Sequence, residues 1–110
     1  MRIAFTKMHG LGNDFLVFES QPGAGLPEPR QWRQLADRHR GVGFDQALLL
    51  EAPRAAGTAI YYRIFNADGT EVEQCGNGAR CVARYLQLAG RVAADGRVAM
   101  GSPGGVIQAQ

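Results

Sequence analysis

Two helix-period stripes, each set between short apolar runs, constrain this chain more than any other feature. Trp32, Leu35, Ala36 and His39 fall at i, i+3, i+4 and i+7 within Pro29–Arg40, the spacing of one core-facing helix stripe. Ala79, Val82, Ala83 and Leu86 form a second stripe, in a helix predicted to start near Gly76–Asn77 and to run to Ala89. Pro29 suits a first helical turn, and Gly41 and Gly90 stand at the two exits. The strand candidates are Arg2–Met8, Phe15–Phe18, Gln46–Glu51, Ala59–Phe65, Arg97–Met100 and Val106–Ala109. Turn-rich connectors separate them: His9–Asp14, Gln21–Pro27, Pro53–Thr58, Asn66–Thr70 with Asp-Gly at its centre, and Gly101–Gly105. The predicted order is ββαββαββ, a mixed α+β domain with antiparallel neighbours wherever the loops are short. The last strand candidate carries no closing signal, so Gln110 reads as the point where a longer sequence was cut.

Composition narrows the function classes. At 110 residues the chain is one domain, and folding should bury roughly 65% of the extended surface. Hydrophobic residues make up 45% and charged residues 20%, ordinary globular usage that argues against disorder. Eleven of the twelve basic residues are arginine, scattered (Arg30, Arg33, Arg54, Arg63, Arg97) rather than clustered as a phosphate-tracking stripe. Nucleic acid is therefore not an expected partner. No apolar run approaches the roughly 18–20 residues that span a bilayer, and the N-terminus lacks the long apolar core of a signal peptide. The reading is cytoplasmic, with no membrane partner. The two cysteines, Cys75 and Cys81, make no disulfide framework, and no metal-ligand pattern accompanies them.

Chemistry concentrates in Glu73–Cys81. Gly76 and Gly78 flank Asn77 directly after Cys75, at the start of an amphipathic helix. Each glycine costs about 1 kcal/mol relative to alanine in a helix interior, so a purely structural helix has no use for them there. They fit a helix start whose backbone a ligand approaches closely. Unpaired N–H groups and the helix dipole make an anion the natural guest, and the same field favours a thiolate. Free cysteine titrates near ~8.5, whereas helix-N-terminal cysteines range over roughly 3.5–7.5. Cys75 is thus placed to act as a base or nucleophile beside an anion site. Arg80 either adds charge or points to solvent. Cys81 reads as a small buried hydrophobe. On one helix the two sulfurs would be separated by about 9 Å of rise and about 240° of rotation, so they cannot clasp one carbon between them.

The stretch Phe65–Cys81 is similar to the signature around the first catalytic cysteine of diaminopimelate epimerases. Lys7–Phe15 resembles the N-terminal motif of that family, and Arg38–Gln46 resembles its third block. The three blocks stand in the family's order and cover most of residues 5–90. The resemblance implies a mostly antiparallel mixed sheet curled, barrel-like, around one helix, with a second helix outside. It makes residues 1–110 the N-terminal epimerase domain, the first half of a two-domain enzyme. The implied reaction interconverts LL- and meso-diaminopimelate, in lysine and peptidoglycan biosynthesis. Cys75 would be one of two opposed cysteine bases, because a single fixed base returns the proton to the face it came from. Backbone N–H groups of Gly76 and Asn77 would stabilise charge on the α-carboxylate. Asn13, Gln46 and Asn66 map onto substrate-contact positions, and amides suit a zwitterion because they both donate and accept. Asn13 and Asn66 also occupy turn-like stretches where asparagine is common for backbone reasons.

No cofactor is implied: Lys7, the only candidate Schiff-base lysine, sits in a strand-like motif. The partners implied are a small amino-acid substrate, the second catalytic domain of the same protein and a second copy in a homodimer. By the same resemblance, the end of the full chain packs back on the first domain. His9 reads as a structural hydrogen-bonding residue, and Asp14, Asp45 and Asp68 as turn or orienting residues. Three other readings compete. They are a proline racemase-like enzyme of the same superfamily, a non-catalytic amino-acid or anion-binding module using the Gly76–Gly78 helix start, and a thiol redox protein using Cys75 and Cys81.

Overall fold

The structure is a computed structural model that describes residues 5–9, 12–20, 28–38, 41, 43–72, 76–92 and 96–109. In chain order the elements are β1 (Phe5–His9), β2 (Asp14–Glu19), α1 (Pro29–Ala36), β3 (Gln46–Glu51), β4 (Ile60–Asn66), β5 (Glu71–Val72), α2 (Gly76–Leu88), β6 (Val98–Ser102) and β7 (Gly105–Ala109). One sheet runs β1-β2-β3-β4-β6-β7, with β5 paired to β4 off this path. β1/β2, β3/β4, β4/β5 and β6/β7 are antiparallel. β2/β3 and β4/β6 are parallel, and their connections carry α1 and α2, as parallel neighbours require.

Alternation along the central strands assigns each helix a face. Phe15 and Val17 of β2, Leu48 and Leu50 of β3 and Ile60, Tyr62 and Ile64 of β4 pack with Ala79, Val82 and Leu86 of α2. Leu16 and Phe18, Ala47 and Leu49, and Phe65 point the other way, toward Trp32 of α1 and Phe44. Strands buried on both faces read in sequence as unbroken apolar runs, and both Phe15–Phe18 and Ala47–Leu50 do so. Met8 of one edge strand and Ile107 and Ala109 of the other pack against the same α2-side cluster, so the sheet curls around α2. The curl is open: β1 and β7 end the strand order without pairing to each other among the described residues.

Helix α1 docks through one aromatic anchor. Trp32 is 2% exposed and stacks on Phe65, with ring centroids 5.2 Å apart; Phe18 and Phe44 close around it at 5.6 and 6.2 Å. The helix ends at Ala36, earlier than Arg40 as the sequence stripe suggested. Asp37 turns to extended backbone, and the chain then closes on the helix through Gly41 N–H to the Asp37 carbonyl and Gly43 N–H to the Leu35 carbonyl. His39, assigned to the stripe, lies outside the described residues. Helix α2 ends at Leu88, one residue before the expected Ala89, and exits as anticipated through Gly90, whose φ of +71° places it in the left-handed region. Gly90 N–H meets the Gln87 carbonyl and Arg91 N–H the Leu86 carbonyl, the paired bonds of a Schellman exit.

Two connectors differ from expectation. The Asn66–Thr70 turn closes a short hairpin whose return strand, β5, was not anticipated; two residues are too few to show a period. Asp68 braces this turn by accepting bonds from the Thr70 N–H and hydroxyl. The segment 101–105 is not all loop: Gly101 and Ser102 extend β6, Gly105 begins β7, and only Pro103 and Gly104 lie between. The Ser102 hydroxyl donates to the Gly105 carbonyl across that tight turn.

Because Trp32 joins α1 to three other aromatic rings, Trp32→Ala is expected to cost about 3–5 kcal/mol of unfolding free energy. Urea unfolding followed by circular dichroism reads this, and a loss below about 1 kcal/mol would show that α1 docks by other means.

Candidate functional site

The candidate residues gather at one end of the sheet because of strand direction. β2 and β3 start there and β4, antiparallel to β3, finishes there. Phe15, Gln46 and Asn66 form consecutive partners across the three strands, and Asn13 lies two residues before Phe15. Gln46 and Asn66 are directly opposite, and the Gln46 side-chain N–H donates to Asn66 Oδ1 at 3.3 Å. Asn66 in turn donates to the Thr70 hydroxyl at 3.1 Å, which orients the amide. Gln46 Oε1 is buried with no hydrogen-bond partner among the described residues. A buried acceptor left empty costs roughly 1–3 kcal/mol, so a partner for this oxygen would be stabilising.

Helix α2 has its first residue at the same end. Cys81 Sγ lies 3.8 Å from Met8 Sδ, level with Phe15, the β2 partner of Met8. Further along, the Tyr85 hydroxyl and Arg91 reach the Glu19 carboxylate at the far end of β2, at 3.1 and 2.6 Å. The helix therefore runs beside β2 in the same direction. Gly76, five residues before Cys81, lies about 7.5 Å further back toward the strand starts. The free N–H groups of the first helical turn belong to this end of the sheet. Cys75, which precedes Gly76 in sequence, lies outside the described residues, as does the side chain of Asn77.

The other cysteine is excluded from base chemistry. Cys81 is buried in the α2-side core, and burial pushes its thiol up to about 11. Arg80 does not reach the sheet end either. It is exposed and lines a groove of about 600 Å³ between α2 and β7, together with Arg84, Gln87 and Ile107.

A charged cluster underlies the amides, and its central residue was missed in sequence. Arg38, just past the α1 exit, donates to Asp14 Oδ2 at 2.7 Å and to Asp45 Oδ1 at 3.1 Å. Asp45 Oδ2 accepts the Asp14 backbone N–H at 2.7 Å, and the Asp45 N–H returns to the Asp14 carbonyl at 2.9 Å. His9 Nδ1 meets Asp14 Oδ1 at 2.6 Å, the structural role expected of it, and Lys7 Nζ lies 4.0 Å from Oδ2. Arg38, and after it His9, hold the Asp14 carboxyl below its ordinary range. Gly43 adopts φ +78°, and a Cβ there would stand 2.8 Å from Arg38 Cγ. The glycine thus makes room for the arginine. The available signal was the block Arg38–Gln46, which holds arginine, glycine and aspartate together; spacing alone could not show that they converge.

The family profile described as diaminopimelate epimerase matches residues 5–110. The chain belongs to the diaminopimelate epimerase family. It is 50% identical over 108 residues to a curated diaminopimelate epimerase of Pseudomonas entomophila, covering 98% of this chain and 39% of that protein. The chain therefore spans about two-fifths of the length of the curated relatives it matches. Among solved structures it resembles a hydroxyproline epimerase from Agrobacterium vitis with bound trans-4-hydroxy-L-proline, at TM-score 0.73 and 15% identity, over 96% of this chain and 36% of that one. A probable proline racemase from Agrobacterium radiobacter gives TM-score 0.71 and 18% identity, over 97% and 36%. At these identities the likeness is one of fold. The α+β class with a curled mixed sheet is shared with both. Among the described residues no helix is long and apolar enough to cross a membrane.

Two measurements test these assignments. A carboxyl held low in the folded state stabilises the fold above the ordinary aspartate range, and that contribution is lost as pH falls through the lower folded value. Stability is expected to fall below about pH 4, and Asp14→Asn should flatten that acid limb in urea midpoints collected across it. In a Cys75→Ser variant, alkylation of Cys81 at neutral to mildly alkaline pH should run about two orders of magnitude slower in the folded than in the unfolded chain. Equal rates would place this thiol in solvent.

Proposed function

We propose that this chain is the N-terminal, cysteine-bearing half of a diaminopimelate epimerase site. In this reading it acts as a pyridoxal-independent isomerase, interconverting LL- and meso-diaminopimelate in the cytoplasm for lysine and peptidoglycan synthesis. Cys75 is the base on one face of the α-carbon, and residues 1–110 are the first of two catalytic domains. The observation that carries the reading is a shared location. The start of α2, reached directly after Cys75 in sequence, lies at the sheet end that holds the Gln46–Asn66 amide pair and the open Gln46 acceptor.

The chemistry follows from these positions. An α-carboxylate set at the α2 start receives the backbone N–H groups of Gly76 and Asn77. When the Cys75 thiolate takes the α-proton, the electron pair left on carbon spreads into that carboxylate, where the same donors stabilise it. Gln46 Oε1 offers an acceptor to an ammonium group, and Asn13 and Asn66 complete the polar set. Inversion then needs a thiol on the opposite face. Cys81 cannot supply it, being buried in the α2-side core. The opposing group must come from outside these 110 residues, in the second domain of a longer protein. Family membership rests on 50% identity, against 15–18% for the proline racemase-like structures, so diaminopimelate is favoured over proline or hydroxyproline as substrate.

Incubation with LL-diaminopimelate in deuterated water tests the reading. The full-length protein should incorporate α-deuterium with epimerisation, and Cys75→Ser should abolish turnover. The 110-residue chain alone should do neither. Turnover of proline but not of diaminopimelate by the full-length protein would move the assignment to the racemase branch.

A further inference from the structure

We propose that Arg38 is the positioning residue for the substrate-facing amides, locking the starts of β2 and β3 together so that Asn13 and Gln46 hold a fixed spacing. The proposal rests on the functional reading above for what the amides bind, but its geometry stands apart from that reading.

The regular β2/β3 pairing begins at Phe15 with Gln46. Asn13 therefore lies beyond the first rung, and Gln46 lies on it. Parallel strands have no hairpin to fix their relative position, and here the connection is the whole α1 crossover. A binding constellation must be held to within about 0.5 Å, which an unsupported strand start does not guarantee.

The residues next to the two amides supply the missing support. Asp14 follows Asn13, and Asp45 precedes Gln46. Arg38 donates to both carboxylates from one planar fork, while Asp14 N–H to Asp45 Oδ2 and Asp45 N–H to the Asp14 carbonyl close the ring. The ring joins three elements: the α1 exit, the β2 start and the β3 start. A lysine could neutralise the carboxylates but could not bridge them in one plane.

Arg91 provides an internal control. It ties the α2 exit to Glu19 at the opposite end of β2, at 2.6 Å, with exposure close to that of Arg38 (40% against 52%). A role confined to stapling a helix exit to β2 should make the two arginines equivalent. A positioning role at the amides makes them different.

The test uses the full-length protein with LL-diaminopimelate, together with the 15N-labelled side-chain amide signals of Asn13 and Gln46. Arg38→Met should lower kcat/KM by about ten- to a hundredfold, chiefly through KM, and should shift or broaden both amide signals. Arg38→Lys, which keeps the charge and guards against a folding failure, should recover only part of this. Arg91→Met should lower the Tm while leaving kcat/KM and both amide signals within twofold and within linewidth of the parent. Unmoved amide signals in Arg38→Met and Arg38→Lys would overturn the proposal, as would equal losses of kcat/KM in Arg38→Met and Arg91→Met. If the parent protein fails to turn over diaminopimelate, the functional reading falls, and the amide signals alone decide the role of Arg38.

Discussion

The rest of the structure depends on burying both faces of β2, β3 and β4. β2 and β3 send alternate side chains into two separate clusters, one under α1 and one under α2, and β4 adds Ile60, Tyr62 and Ile64 to the second and Phe65 to the first. A sheet apolar on both sides cannot stand in water, so both helices are obligatory. Their crossovers then dictate which strands run parallel. Strand direction in turn brings the starts of β2 and β3 and the finish of β4 to one end. The site location is a consequence of how the core is covered.

At that end the packing gives way to polar contacts of two kinds. In the Asp14–Arg38–Asp45 ring all four carboxylate oxygens have a partner: Arg38 for one oxygen of each, His9 for the second of Asp14 and the Asp14 backbone N–H for the second of Asp45. The neighbouring amide pair differs, since Gln46 Oε1 is buried with no partner among the described residues. Cys81 shows the converse on the same helix that begins after Cys75. Surrounded by hydrocarbon and the Met8 sulfur, its thiol is raised to about 11 and serves packing.

The elements with strong periods were legible in the sequence. The Ala79–Leu86 stripe and its Gly90 exit, the β3 run Gln46–Glu51 and the Asn66–Thr70 turn all appear where local chemistry put them. Features without a local period were not. The end of α1 at Ala36 follows from bonds that Gly41 and Gly43 make back to Asp37 and Leu35. The two-residue β5 exists only because β4 offers it an edge. Arg38 stood in the Arg38–Gln46 block without an assigned role, since its partners are 24 and 7 residues away.

Sequence alone therefore determined what short-range chemistry can specify: the helix stripes, their glycine exits, the turn residues and the motifs that tie the chain to its family. It also placed a helix start near Gly76, where the structure begins α2. Only the tertiary structure decided which of the two helices lies inside the curl, that Gln46 and Asn66 face each other, and that one guanidinium joins two distant carboxylates. Those facts depend on strand register and crossover geometry, which are settled by the mutual burial of residues far apart in the chain and have no signature in any single stretch of it.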